Sequence, residues 1–185
     1  MELLVLFAFV LSVIVFAVDG PKGIDVSSHQ PTVDWNKVKS NGVQFAYVKA
    51  TEGTGYKNPY FDSQYMGATK VRLIWGSYHF TLPDVSSGAI QANYFVSNGG
   101  GWSADGITLP GALDIEYSLS QLAMVAWIKD FSNTYHSKTS CYPIIYTTTD
   151  WWKTCTDNAR GFQNNNPLWI AHPSSSIGEL PAGYS

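Results

Sequence analysis

Two acidic residues, Asp114 and Glu116, stand one residue apart in the segment Ala-Leu-Asp-Ile-Glu-Tyr. In a β-strand, residues i and i+2 point to the same face, about 7 Å apart along the backbone. Two carboxylates that face one hollow repel each other, and apolar surroundings add to this effect, so one pKa should rise until that group stays protonated near neutral pH. A protonated carboxyl group suits general acid catalysis of glycosidic bond cleavage. The alternative is a strand-end pair that binds a metal or caps a loop.

Three further ionisable residues stand near the ends of apolar runs. They are Asp25 in Gly-Ile-Asp-Val-Ser, Glu52 in Lys-Ala-Thr-Glu-Gly and His79 in Tyr-His-Phe. In a parallel barrel the strand tips meet at the carboxyl-terminal face, where the βα loops expose them. Because an unpaired buried carboxylate is costly, acidic residues that recur at strand tips indicate a site. We therefore take Asp25, Asp114 and Glu116 as candidate catalytic residues.

The elements that would position these residues alternate between strand and helix. Strand-like runs cover residues 23–26, 45–49, 73–80, 111–117, 142–147 and 168–171, and helical patterns cover residues 33–40, 59–71, 87–97 and 119–136. This succession predicts an α/β fold with parallel strands joined by right-handed crossovers. Beyond residue 146 the helical patterns fade, and residues 149–167 are predicted as a loop with at most one short helix.

Polar residues recur at one strand tip after another, which favours a barrel over an open sheet. No Gly-x-Gly-x-x-Gly or Walker loop follows the first strand, so the usual reasons for an open nucleotide-binding fold are missing. We predict an irregular TIM-like (β/α) barrel with reduced helices in its second half. Its length of 185 residues suits one domain.

Composition excludes several classes of function. The formal net charge is -3 and no Lys/Arg cluster occurs, which argues against a nucleic-acid partner. The four histidines are scattered, without His-x-x-x-His or Cys-x-x-Cys spacing, so neither a metal site nor a cofactor is expected. No Gly-x-Ser-x-Gly motif supports a serine hydrolase. Aromatic residues make up 15% of the chain, and flat rings suit both a core and a sugar-binding cleft.

The first 20 residues point to an extracellular protein, and this location bears on the two cysteines. Residues 1–18 are almost wholly apolar and small residues follow, which predicts a signal peptide over residues 1–20 and a secreted domain over residues 21–185. A signal anchor is the alternative, because Glu2 stands where a signal peptide carries Lys or Arg. Cys141 and Cys155 could form a disulfide worth about 3 kcal/mol, or they are two unrelated buried thiols.

Six separated segments carry a family resemblance. In chain order they are Gly-Ile-Asp-Val-Ser-Ser-His-Gln (23–30), Phe-Ala-Tyr-Val-Lys-Ala-Thr-Glu-Gly (45–53), Gly-Ser-Tyr-His-Phe (76–80), Leu-Asp-Ile-Glu (113–116), Pro-Ile-Ile-Tyr-Thr (143–147) and Leu-Trp-Ile-Ala (168–171). Together they resemble the family 25 glycoside hydrolases, the Chalaropsis-type lysozymes, from about residue 22 to about residue 173.

The resemblance implies an N-acetylmuramidase that hydrolyses the β-1,4 bond between N-acetylmuramic acid and N-acetylglucosamine in peptidoglycan. It implies Glu116 as the general acid, with Asp114 and Asp25 as the other active-site carboxylates. It also implies a substrate-assisted mechanism, in which the 2-acetamido group of the sugar is the nucleophile and Asp114 orients it. The family barrel has eight strands, and its closing strand and a following Asp have no counterpart here, so we expect a domain incomplete at its C-terminus.

Five other residues are candidates for substrate binding. Tyr146 could bond a sugar or pack in a strand, and Trp169 could stack on a sugar ring or belong to the core. Only one of Tyr78 and His79 can face the cleft, because neighbours on a strand alternate. Glu52 is expected to tether a loop by hydrogen bonds, with a catalytic role as the lesser alternative.

Two other functions remain open on the sequence alone. A secreted lectin-like module could bind peptidoglycan or chitin without cutting it, although binding alone needs no proton donor. A chitinase-like hydrolase could use the same acetamido chemistry. We expect a monomer without a membrane partner once the signal peptide is removed.

Overall fold

The computed structural model describes residues 20–117, 120–172 and 178–185. Residues 1–19 of the predicted signal peptide lie outside this part of the chain. In the order of the chain the elements are β1 (Lys22–Val26), α1 (Trp35–Ser40), β2 (Val43–Glu52), β3 (Tyr56–Lys57), α2 (Phe61–Lys70), β4 (Ile74–Phe80), α3 (Gly88–Phe95), β5 (Ala112–Asp114), α4 (Gln121–Thr139), β6 (Ile144–Thr147), α5 (Thr149–Thr156) and β7 (Leu168–Ile170).

The sheet confirms the predicted parallel α/β topology. Its strands run in the order β1-β2-β4-β5-β6-β7 with every neighbouring pair parallel, and β3 adds a short antiparallel pairing to β2. Parallel strands need crossover connections, which the intervening helices supply. Among the described residues β1 and β7 form the two ends of this sheet and do not pair with each other. The fold is thus a curled half-barrel of parallel strands, and the predicted irregular TIM-like barrel is confirmed only to this extent.

Three helices begin at residues whose side chains accept a backbone N–H of the first turn. Asp34 accepts from the N–H of Lys37 before α1, Ser87 from that of Ile90 before α3, and Thr148 from that of Trp151 before α5. Such N-caps stabilise a helix by about 1 kcal/mol each. The α5 cap lies directly after β6, so it also fixes how the chain leaves the carboxyl end of that strand.

The core lies between the sheet and the helices. Ala46, Val48 and Ala50 of β2 are fully buried and present small or branched side chains to it. Helix α4 covers the sheet with a stripe at helical spacing whose members are Met124, Trp127, Ile128, Phe131, Ser132 and Tyr135. Full burial of each large apolar side chain contributes about 1.5–3 kcal/mol before entropy is subtracted. None of the described helices is long and apolar enough to cross a membrane.

The elements correct one expectation and confirm another. The strand predicted over residues 111–117 contains only Ala112–Asp114, because the paired register of β5 with β4 and β6 ends at Asp114. Residues 149–167, predicted as a loop with at most one short helix, contain the eight-residue helix α5 and a 3-10 turn at Phe162–Asn164. The strongly apolar face of α5 carries Trp152, which is fully buried.

The predicted disulfide is absent, and both cysteines are free thiols. Cys141 lies between α4 and β6, where its Sγ is 3.6 Å from the carbonyl oxygen of Tyr142. Cys155 lies in α5, on the other side of β6 along the chain. A disulfide requires a specific geometry between the two residues, and the spacing of cysteines in a sequence does not contain it. Burial raises the pKa of the Cys141 thiol.

Candidate active site

A pocket opens at the carboxyl-terminal ends of the strands and has about 350 Å³ of open space. Seven residues line it, from five strands and one loop: Asp25, Tyr78, Ala112, Asp114, Glu116, Tyr146 and Trp169. The structure therefore brings together all three predicted catalytic residues and three of the predicted substrate-binding residues.

Strand register explains why these side chains converge. Asp114 of β5 pairs with Tyr146 of β6, and Tyr146 pairs with Trp169 of β7, so the three form one row across the sheet. Tyr78 of β4 pairs with Ala112, two residues before Asp114. Residues separated by two on a strand share a face. The row of Asp114 and the row of Ala112 therefore line the same hollow.

Glu116 stays on the side of Asp114 although β5 ends before it. Ile115 is fully buried, and its N–H donates to the carbonyl oxygen of Tyr146 at 3.0 Å. This bond extends the strand alternation by one residue. The carboxylate of Glu116 is consequently exposed at the mouth of the pocket, while that of Asp114 is half-buried below it.

Asp114 is a largely buried carboxyl group whose pKa is strongly raised. Burial, the nearby Glu116, and the more distant Asp25 and Glu52 raise its pKa from 3.8 to about 8, while Lys49 acts in the opposite direction. Its Oδ1 is buried without a hydrogen-bond partner. The expectation that repulsion would be the leading cause is corrected, because burial contributes more than Glu116 does. An orphaned, protonated carboxyl group in a pocket marks a functional site.

The two pocket tyrosines remain protonated donors. Burial first, and then the charges of Asp25 and Asp114, raise the pKa of Tyr78 well above its ordinary range. Burial, Glu116, Asp114 and Asp25 raise the pKa of Tyr146 as well. Each phenol can therefore donate a hydrogen bond to a ligand oxygen at any physiological pH.

Trp169 forms one wall of the pocket and is held by two other rings. Its ring centroid is 5.0 Å from that of Tyr47 and 5.1 Å from that of Tyr146, in tilted and edge-on arrangements. Such aromatic pairs stabilise by about 0.5–1.5 kcal/mol beyond the burial of their area. The indole is half-buried, so part of its face is available to a ligand.

His79 lies outside the pocket, which corrects its candidacy for substrate binding. It is fully buried on the opposite face of β4, with Nδ1 2.7 Å from Oγ1 of Thr51 and Nε2 3.0 Å from Oε1 of Gln91. Because Gln91 Oε1 can only accept, Nε2 carries the proton and Nδ1 accepts from Thr51. Burial lowers the pKa of His79 to about 4, so the ring is neutral and structural. Tyr78 is the member of this pair that faces the pocket.

Glu52 is also not among the lining residues of the pocket. Its carboxylate forms an ion pair with Nζ of Lys49 at 2.5 Å. Lys49 was missed by the sequence analysis, although a lysine inside the apolar run Phe-Ala-Tyr-Val-Lys-Ala-Thr was a usable signal. A cation in a strand that is otherwise buried needs a partner.

Among the described residues no group of three or more His, Cys, Asp or Glu side chains is arranged to hold a metal ion. The lining of the pocket supplies carboxyl, phenol and indole groups. These groups can donate a proton, accept hydrogen bonds and stack on a flat ring.

Comparisons with known proteins agree with this arrangement. The sequence profile of the family described as Glycosyl hydrolases family 25 matches residues 24–179. A protein named N,O-diacetylmuramidase from Chalaropsis sp is 49% identical over 175 residues, which cover 88% of this chain and 83% of the relative. Lysozyme M1 of Streptomyces globisporus is 47% identical over 173 residues, which cover 89% of this chain and 59% of the relative.

Solved structures show the same fold. The muramidase from Acremonium alcalophilum superimposes with a TM-score of 0.87 at 57% identity, and the match covers 89% of this chain and 83% of that one. The muramidase from Trichobolus zukalii gives a TM-score of 0.87 at 50% identity with the same coverage. The half-barrel is thus the arrangement that the corresponding part of these structures adopts.

Proposed function

The chain belongs to the glycosyl hydrolases family 25, and from this we propose that it is a muramidase that hydrolyses the β-1,4 bond between N-acetylmuramic acid and N-acetylglucosamine in peptidoglycan. Relatives named muramidase and lysozyme support both the hydrolytic activity and the substrate. The observation that carries the proposal is the pair of Asp114 and Glu116 in one pocket with Asp25.

In the proposed mechanism Glu116 is the general acid. Its carboxyl group is exposed at the mouth of the pocket, where it can reach the oxygen of a glycosidic bond. As the bond between C1 and this oxygen breaks, Glu116 gives its proton to the leaving sugar. The carbonyl oxygen of the substrate's own 2-acetamido group forms the new bond to C1. Water then attacks C1, and the bond between C1 and the acetamido oxygen breaks. A proton of this water returns to Glu116.

Asp114 has the matching role of orienting the acetamido group. Its buried Oδ1 lacks a partner and can accept the acetamide N–H, and this hydrogen bond is stronger when Asp114 is a carboxylate. In the free protein the proton resides on Asp114. Formation of the acetamide bond therefore favours transfer of this proton to Glu116, which readies the acid. Retention of the β-anomer in the first product, read by proton NMR, is expected, and an α-product would exclude this version of the mechanism.

The aromatic residues and Asp25 complete the proposed site. Trp169 offers a half-buried indole face for a sugar ring, and Tyr78 and Tyr146 offer hydroxyl groups to its oxygens. Asp25, at the end of β1, is an exposed carboxylate that can assist the attacking water or the charge that develops at C1.

The apolar run at residues 1–18 supports export of the protein, where peptidoglycan is accessible. We propose that it is secreted and acts as a monomer. Amino-terminal sequencing of protein recovered from culture medium should begin near residue 21, and an intact N-terminus would contradict cleavage.

The decisive test compares the wild-type protein with Glu116→Gln on purified Gram-positive cell walls. The amide keeps the shape of the side chain and cannot act as an acid, so clearing of turbidity should slow by about 10²–10⁴-fold. Binding of both proteins to the walls without clearing by either would instead support a lectin-like function. Faster release of reducing ends from chitin than from peptidoglycan would support a chitinase.

A further inference from the structure

A β-bulge in β2 brings two charged residues to the pocket side of the sheet. Lys49 pairs with Tyr78 of β4, whereas the next paired residues are Thr51 and His79, so Ala50 is an extra residue. In a regular strand, residues 49 and 52 would point to opposite faces because their separation is odd. Because the bulge adds one residue to β2, the side chains of Lys49 and Glu52 lie on the same face of the sheet.

Register shows that this shared face is that of the pocket. Lys49 pairs with Tyr78, which lines the pocket. Glu52 pairs with Phe80, which in turn pairs with Asp114 of β5. The ion pair therefore lies in the two rows of side chains that also contain Tyr78 and Asp114.

The bulge is fixed by a buried side chain. Asn58 is almost fully buried, its N–H donates to the carbonyl oxygen of Ala50 at 2.9 Å, and its Nδ2 donates to that of Lys49 at 2.8 Å. If β2 shifted by one residue relative to Asn58, both of these hydrogen bonds would be lost. The position of Lys49 is thus built into the fold.

The ammonium group of Lys49 is largely withdrawn from solvent. Its side chain is 14% exposed, and Nζ lies 4.8 Å from the ring centroid of Phe80 and 5.4 Å from that of Tyr56. Low exposure reduces screening, so this charge acts more strongly on its neighbours than a surface lysine does.

We propose that Lys49 is a positioning residue of the active site, which the bulge at Ala50 and the ion pair with Glu52 hold in place so that its positive charge sets the pH range in which the carboxylates of the pocket share one proton. This inference rests on the proposed function. Lys49 touches no reacting atom in it and acts through Asp114.

The charges around Asp114 give the expected direction. Glu116 follows it in the chain, Asp25 faces it from β1, Lys49 and Glu52 from β2, Tyr78 from β4 and Tyr146 from β6. Lys49 is the cation that lowers the pKa of Asp114 in this group, and Glu52 raises it. Loss of Lys49 should therefore move proton release to higher pH, and loss of the charge on Glu52 should move it to lower pH.

The test is the pH profile of kcat/KM on peptidoglycan for Lys49→Met and Glu52→Gln. We expect the whole profile to move by about one pH unit to the alkaline side for Lys49→Met and to the acid side for Glu52→Gln. Lys49→Arg should restore the wild-type profile. Lys153→Met is the matched control, because it breaks the Lys153–Glu179 pair, 2.6 Å long and more exposed, and should leave the profile unchanged.

Opposite shifts are specific to an electrostatic role, since damage to the fold would lower activity at every pH. Shifts in the same direction, or profiles that match the wild type, would overturn the proposal. Carbon-13 NMR titration of labelled Asp114, without substrate, reports the same shifts independently of hydrolysis. If the wild type fails to cleave peptidoglycan, this titration still decides about Lys49, while the proposed function fails separately.

Discussion

At the scale of single residues, the pocket depends on an unequal pair of carboxyl groups. Asp114 lies deeper and its pKa is raised to about 8, mainly by burial, whereas Glu116 is exposed at the mouth. The spacing of the two residues predicted that they would share a face and that one of them would keep a proton. It could not predict which one, because the depth of each side chain depends on where β5 ends and on the loops around it.

The first prediction concerns the alkaline limit of activity. The proposed mechanism needs one proton within the pair, and the last proton leaves with a pKa of about 8. The kcat/KM for peptidoglycan should therefore fall about tenfold per pH unit above pH 8. A pH series at constant ionic strength measures this. Full activity at pH 10 would contradict a shared proton.

The second prediction concerns stability. Between pH 4 and pH 8 the folded protein binds a proton at Asp114 that the unfolded chain, with a pKa of 3.8, releases. Stability from this group is thus present at low pH and is lost as pH rises towards 8. Asp114→Asn should match the wild type near pH 4 and gain at least about 1 kcal/mol at pH 8, or about 2–4 °C in Tm. Calorimetry at the two pH values tests this, and an advantage that is equal at both would contradict it.

At the scale of elements, a short strand presents the chemistry and a long helix secures it. Helix α4 buries Tyr135 completely, and its hydroxyl oxygen accepts the N–H of Gly111 at 2.9 Å, directly before β5. This bond anchors the start of the strand that carries Asp114. The sequence pattern predicted a helix over residues 119–136, close to the observed bounds of α4. The bulge at Ala50 was not predictable, because it arises from pairing with β4 and from bonds to Asn58, which are contacts distant in sequence.

Removal of the α4 anchor should destabilise the protein. Tyr135→Phe leaves the buried N–H of Gly111 without a partner, at a cost of about 1–3 kcal/mol in the free energy of unfolding. Urea denaturation measures this change. Tyr142→Phe, at a partly exposed tyrosine that stacks on His136, is the control and should change the free energy little. Equal effects of the two substitutions would show that the bond to Gly111 is unimportant.

At the scale of the whole molecule, the parallel α/β topology followed from alternation of strand and helix patterns, and the convergence of strand tips followed from that topology. Asp25, Tyr78, Asp114, Glu116, Tyr146 and Trp169 were all found in one pocket as a result. The extent to which the sheet closes and the pairing state of the cysteines could not be predicted from these patterns. Both depend on distances between parts of the chain that no local pattern contains.

The two thiols give a global test of the fold. Because Cys141 and Cys155 are free, we expect two reactive thiols per chain after denaturation without reductant, and a Tm that is independent of added reductant. A thiol assay with mass spectrometry counts them. Absence of reactive thiols in the monomer would show a disulfide and contradict this arrangement of the segments around β6.

The most direct measurement is the identity of the sugar end that the protein releases from purified peptidoglycan. Mass spectrometry of borohydride-reduced fragments distinguishes the two possible ends. The proposed function predicts reduced N-acetylmuramic acid for the wild type and almost none for Glu116→Gln in the same time. Reduced N-acetylglucosamine, or equal release by both proteins, would contradict it.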